Sequence, residues 1–175
     1  MAEAMLNQIL EDAEIEEDFS ASMPRDEGVS LHGVDVMQEK LYTHRRIKNT
    51  LSGNVIEIEK GYAIVNLQTT QDMIIDELGL IHSGFIFSAA DFAAAAAVNE
   101  SNVVIIGSRT SFLAPAKLND LIEFEAKAKF EDSRKREITV TGKIKEIKIF
   151  EGIFHAVVLE KHIFKTKIKN AHRDF

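Results

Sequence analysis

Between residues 50 and 164 the hydrophobic positions change rhythm, and each rhythm predicts an element. Over 51–68, Val55, Ile56 and Ile58 lead to Glu59-Lys60-Gly61, and then Ala63, Val65 and Leu67 alternate with Tyr62, Ile64 and Asn66. Alternation around a glycine-containing turn predicts a β-hairpin. From Phe85 to Val98 only Ser88 and Asp91 are not hydrophobic. A helix that is apolar all round has to be covered all round. The run falls short of the ~18 residues that suggest a membrane span, so it reads as a buried core helix. Strands follow. Val103-Val104-Ile105-Ile106 opens the stretch 103–114, which ends at Pro115; Ile122, Phe124, Ala126, Ala128 and Phe130 then alternate with charged residues. Ile138, Val140, Gly142 and Ile144 do the same before the apolar phase slips at Ile147 and Ile149, which predicts a bulge near Glu146. The last strand is expected over 152–164, with Ala156-Val157-Val158-Leu159 covered on both faces. Two strands, one apolar helix and four strands make an α+β domain in which the sheet curls around the helix. Long consecutive strands leave an edge to protect, and pairing it with a second copy predicts a twofold dimer.

The ends of the chain differ from this body. Residues 1–27 hold nine acids and one base, Arg25, against a net charge of −7 for the whole chain. The acidity therefore belongs to a tail, and the remainder is close to neutral. The expected organisation is an acidic N-terminal tail over 1–30, suited to contact with another protein, and a linker over 31–49. A domain over 50–165 and a basic C-terminal tail over 166–175 complete it. Within the linker, Val34, Met37, Leu41 and His44 stand at helical intervals and predict a short helix over 34–47. Neither part carries the basic footprint of a nucleic-acid binder, so no DNA partner is expected. The absence of cysteine excludes disulfides, thiolate metal sites and cysteine nucleophiles. The six histidines form no metal-binding motif. Asn7, Gln8, Glu11 and Asp12 interrupt the first apolar residues, so no signal-peptide core is read and a cytoplasmic location is expected.

Candidate chemistry gathers around the helix. His82-Ser83-Gly84 stands at its entrance, where first-turn N–H groups lack partners and the helix dipole favours negative charge. Asp91 lies inside the apolar run, where a carboxylate must be paired, protonated or facing a cavity. The 69–81 connection is long for its place, and such loops often border a site. Arg109, Lys117 and the basic C-terminus are candidates for phosphate contact, although charge runs usually mark a solvated face.

The order of elements, with His82-Ser83-Gly84, Ser111-Phe112-Leu113-Ala114-Pro115 and Leu118-Asn119-Asp120 as markers, resembles the hotdog fold over roughly 50–164. The resemblance implies a long central helix wrapped by a curved antiparallel sheet, and a homodimer with a continuous sheet. Two branches of the fold are similar to this chain. Phenylacetyl-CoA-type thioesterases show a comparable His-Gly-Gly-Phe-x-Phe-x-x-Ala-Asp pattern, matched here by His82, Phe85, Phe87, Ala90 and Asp91. That likeness implies that the amide of Ser83 or Gly84 polarises a thioester carbonyl. Asp91, from the partner's helix, would be nucleophile or general base. Ser83 stands where that pattern has glycine. The other branch is the acyl-CoA-sensing effector domain of the bacterial fatty-acid and phospholipid synthesis regulator. The likeness there covers the opening hairpin, the Ser111-to-Leu118 stretch, Ala126-Lys127-Ala128-Lys129 and Ile149-to-Phe154. Those sensors carry asparagine in place of Asp91 and bind the thioester without hydrolysing it.

The resemblance thus implies an acyl-CoA-binding protein with a regulatory role, or alternatively an acyl-CoA thioesterase acting through Asp91. The ligand-binding set it implies is His82, Ser83, Gly84, Phe87, Asp91, Arg109, Ser111, Phe112, Leu113 and Lys117, with Asp91, Ser83 and Gly84 catalytic in the enzyme reading. No cofactor is implied beyond the acyl-CoA or acyl-carrier thioester itself, and no metal.

Overall fold

The computed structural model describes residues 37–130 and 134–165. The acidic stretch 1–30 and the basic stretch 166–175 lie outside the described residues.

A short helix α1 (Asn49–Ser52) leads into the hairpin of β1 (Asn54–Glu59) and β2 (Tyr62–Gln68). Gly61 makes the turn at φ 80, and a Cβ there would come within 2.7 Å of the Phe130 ring. Its N–H donates to the Ala97 carbonyl at 3.1 Å, so the turn is tied to the far end of the apolar helix. That helix is α2 (Ser83–Val98), capped by His82 and ended by Asn99 in the left-handed region at φ 50. Next come β3 (Val103–Phe112), β4 (Leu121–Phe130), β5 (Lys135–Ile144) and β6 (Ile147–Val158). All pairings are antiparallel, in the order β1-β2-β4-β5-β6-β3. The six strands and the single long helix are those the hydrophobic rhythm predicts.

Burial explains why α2 shows no polar face. Ala93, Ala94, Ala95, Ala96 and Ala97 are all fully buried. Small side chains along this half let the backbone approach the sheet closely, and any larger residue would overfill the space. Phe124 and Phe150 meet edge-on at 5.9 Å on the sheet's inner face. Gly142 lies between them, where a Cβ would stand 2.8 Å from the Phe124 ring and 3.1 Å from Phe150 Cβ.

Two expectations are corrected. The irregularity near Glu146 is a chain reversal, not a bulge: Lys145, at φ 53, and Glu146 form a two-residue turn between β5 and β6. The register shift in this pair lies instead between Gly142 and Lys143. The last strand accordingly starts at Ile147, and Gly152 sits mid-strand opposite Val140 and Thr110. A Cβ at Gly152 would approach Thr110 Cγ2 to 2.9 Å, so the glycine answers to close packing, not to a turn. In the described part of 34–47, helical structure is limited to 37–39. Beyond it the backbone follows contacts with α2. Tyr42 N–H donates to Asn99 Oδ1 at 2.8 Å, Asn99 Nδ2 donates to the Lys40 carbonyl at 3.1 Å, and the His44 ring lies 6.0 Å from that of Phe92. Leu41 and Thr43 are the buried residues of this strap.

Candidate functional site

The entrance to α2 is held in place by the 69–81 connection. Thr69 Oγ1 donates to the carbonyls of Lys117 (2.8 Å) and Asp120 (3.0 Å), and Thr69 N–H donates to Asp120 O at 2.9 Å. Asp76 Oδ1 accepts the amides of Leu78 and Leu80, both at 3.0 Å, which rounds the chain toward Gly79 at φ 81. Ile81 N–H then donates to Ala116 O, and His82 N–H to Met73 O, each at 2.9 Å. Backbone bonds on both sides therefore deliver His82-Ser83-Gly84 to one place.

At that place the first turn of α2 opens onto a cleft of about 380 Å³. Its walls include Ile75, Ile81, Ile86, Phe112 and Leu113, with His82 and Ser83 at the helix end. The His82 side chain accepts from Gly84 N–H at 3.5 Å, a long and weak cap, and its ring lies over Gly84. Ser83 N–H has no acceptor among the described residues. The aromatic His82–Phe85 contact, edge-on at 6.1 Å, helps to set the imidazole. An apolar cleft ending on the free first-turn amide of Ser83 suits a polar, electron-rich atom carried on an apolar chain.

Farther along α2, Phe87 and Asp91 follow Ser83 at intervals of four and share its face. Phe87 packs against Phe154 at 5.8 Å and stays half-buried. Asp91 is also half-buried, and it has neither an ion pair nor a hydrogen bond among the described residues. Burial alone pushes its carboxyl above the ordinary carboxylate range. The neighbouring stripe of α2 is covered differently: Ser88 Oγ meets Ser52 Oγ of α1 at 2.8 Å, a pairing with no signal in the sequence. At 1.5 Å per residue, Asp91 stands about 12 Å along the axis from Ser83 of its own helix. One chain does not bring its own Asp91 to its own helix entrance.

The other predicted ligands fall in two further places. Arg109 and Ser111 pair with Ile153 and Glu151 on the sheet face turned away from α2, beside Thr139 and Thr141. Phe112, one residue on, faces the helix side and meets Phe150 edge-on at 5.4 Å. Strand alternation separates these neighbours. Lys117 borders a second, adjoining cleft. The lining residues outside the predicted set are Ile75, Leu80, Ile81, Ile86, Ala114, Pro115 and Ala116; the length of the 69–81 loop was the available signal for the first three. Among the described residues no group of three His, Cys, Asp or Glu gathers as for a metal, and no helix is long and apolar enough to cross a membrane.

A single long helix buried in a curved six-stranded antiparallel sheet, entered through a His-Ser-Gly cap, defines a hotdog-fold protein of the thioesterase type. The sequence pattern of the thioesterase superfamily matches residues 78–148 of the chain. It is similar to Cj0977, a sigma28-regulated virulence protein from Campylobacter jejuni: 43% identity, TM-score 0.76, covering 81% of this chain and all of that one. It is also 43% identical over 117 residues to a methylthioribose-1-phosphate isomerase from Aquifex aeolicus, covering 67% of this chain but only 26% of that protein. A FapR transcription factor from Caldanaerobacter subterraneus subsp. tengcongensis is 24% identical over 129 residues, covering 71% of this chain and 64% of FapR. The chain thus spans about a quarter of the first curated relative and just under two thirds of the second. A hypothetical thioesterase from Streptococcus pneumoniae, solved with coenzyme A, shares the fold at 15% identity and TM-score 0.56, covering 62% of this chain and 86% of that one.

Proposed function

We propose that this protein is a dimeric acyl-CoA-binding module with a regulatory role. The thioester lies at the N-terminus of α2 and the acyl chain in the adjoining apolar cleft. The observation that carries this reading is the free first-turn amide of Ser83 at the end of that cleft. A thioester carbonyl is an electron-rich acceptor on an apolar chain, and helix N-termini favour such groups. The coenzyme A bound to the hotdog protein from Streptococcus pneumoniae supports the ligand class.

The dimer follows from two exposed features that adjoin. Among the described residues strand β3 is an edge of the sheet, paired only with β6, and Ile106 in it is exposed. The Phe87–Asp91 face of α2 lies beside that edge, only half covered. A second copy paired along β3 would cover both and carry its own Asp91 toward the first copy's helix entrance.

Asp91 favours a second reading, thioester hydrolysis. A partly desolvated carboxylate with no partner is poised as a general base for water or as a nucleophile. The two readings share a site and separate in one experiment. Wild type and Asp91→Asn are presented with a panel of acyl-CoAs, binding being followed by thermal shift and hydrolysis by thiol release. Saturable stabilisation without thiol release in either form supports the binding module. Turnover that vanishes in Asp91→Asn while binding persists makes the protein a thioesterase. The absence of both signals refutes both readings, and a monomer by sedimentation refutes the shared site.

A further inference from the structure

A cleft larger than the one at the helix entrance lies beside it and does not include His82 or Ser83. It measures about 610 Å³ and lies beyond the Ala114–Ala116 segment, at the tip of the β5–β6 hairpin. Leu78, Leu80, Pro115, Ile144, Ile147 and Ile149 supply an almost wholly apolar wall. Four charged residues stand on it: Asp76, Asp120, Lys117 and Lys145. Their situations differ. Asp76 accepts two backbone amides of its own turn, and Asp120 Oδ2 accepts Lys117 N–H at 2.8 Å. The Lys117 and Lys145 ammonium groups have no ion pair among the described residues.

Two side chains at the mouth are held in water at some cost. Leu78 is 93% exposed and Ile147 63% exposed. Neither sits on a floppy surface. Leu78 is fixed by the Asp76 turn and by Gly79, and Ile147 begins β6 directly after the Lys145-Glu146 reversal. Exposed apolar side chains on a rigid rim, facing a cleft of ligand size, mark a binding surface.

We infer that this cleft binds a free straight-chain fatty acid, its hydrocarbon tail along the Leu80–Ile144–Ile149 wall and its carboxylate at Lys117 and Lys145. Hydrogen bonding favours an anionic head group: the Lys117 and Lys145 ammonium groups have no ion pair among the described residues, while one oxygen of each carboxylate already accepts backbone amides. The apolar wall decides against a small polar anion. The inference does not rest on the thioester reading, because it concerns a different cleft and a ligand without coenzyme A.

The test is calorimetric titration of the full chain with monomeric decanoate, octanoate and decyltrimethylammonium. Decanoate should bind saturably, at least tenfold tighter than the cation of equal chain length. Octanoate should be weaker by up to about fourfold for each methylene removed. Ile147→Asp, at an exposed position, should weaken decanoate at least tenfold without lowering the melting temperature. Lys117→Gln with Lys145→Gln should abolish the preference for the anion. Equal affinity for the two amphiphiles, indifference to Ile147→Asp, no saturable decanoate binding, or capture by anionic vesicles alone would each overturn the proposal.

Discussion

Replacing Asp91 with asparagine should make the protein more stable at neutral pH while disabling whatever the carboxylate does. The side chain is half-buried on α2, without a partner, and burial raises its pKa. An acid whose folded-state pKa lies above its unfolded value, near 3.9, holds its proton more tightly when folded. Its contribution to stability is therefore best below the ordinary carboxylate range and is lost as pH rises through the displaced pKa. Above that point the ionised, unpaired group opposes folding. An uncompensated buried polar group costs about 1–3 kcal/mol, and more when charged. Asp91 is only partly buried, so solvent screening places the penalty near the lower end, about 1 kcal/mol. Asparagine keeps the shape and removes the charge, so Asp91→Asn should gain about that much at pH 7.5, or roughly 2–4 °C in melting temperature. At pH 4, where a raised pKa leaves more of the wild-type carboxyl protonated than in the unfolded chain, the gain should be smaller. The assay is thermal unfolding of both proteins at the two pH values and equal concentration. A gain of equal size at both pH values, or a loss at pH 7.5, would refute the reasoning. A loss would mean that a partner subunit supplies Asp91 with a donor.

Further outcomes follow from other residues. His44 has its pKa lowered by burial, so its contribution is present above the unfolded value near 6.5 and is lost as pH falls through the displaced pKa. His44→Phe should flatten that part of a pH–stability profile, and an unchanged slope would count against the buried imidazole. Gly142→Ala puts a Cβ against Phe124 and Phe150 and should cost about 1–3 kcal/mol in denaturant unfolding. Gly84→Ala should cost little stability, since alanine is the better helix former by about 1 kcal/mol. It should nonetheless weaken acyl-CoA binding, because its Cβ would stand 3.0 Å from His82 Nε2 and displace the ring at the cleft. Arg109→Ala should leave acyl-CoA affinity within about twofold by the thermal-shift assay, as Arg109 lies on the face turned away from α2.

How far the sequence carries can be seen residue by residue. The apolar run from Phe85 to Val98 and the alternation in β1, β2, β4 and β5 are one-dimensional patterns, and they are enough to place the helix and count the strands. The β5–β6 turn was hidden because Lys145-Glu146 lacks the Asn-Gly or Asp-Gly signature of a two-residue hairpin. Gly152, where the last strand was expected to begin, lies mid-strand because a Cβ there would meet Thr110 on the neighbouring strand. The expected helix of 34–47 does not run past 39 for the converse reason: Asn99, fifty-seven positions from Tyr42, captures Tyr42 N–H and overrides local spacing.

The site shows the same division. The helix cap was legible because dipole, free amides and a His-Ser-Gly entrance are local. Which residues share that entrance was not, since strand parity decides it. Ser111 and Phe112 are adjacent in the chain yet lie on opposite faces of β3. The same parity bears on the dimer. If a second copy pairs along β3, the residues of that strand that face α2 lie on the side of the half-covered Phe87–Asp91 stripe, while Arg109 and Ser111 stay on the outer face. A one-residue slip in that pairing would exchange the two sets. The bulge between Ile105 and Gly107 shifts the register within β3 itself. Deleting Ile106 should therefore disrupt the β3 edge and with it any dimer, and sedimentation of that variant reads the effect directly. A dimer of unchanged strength would show that the two copies do not meet along β3.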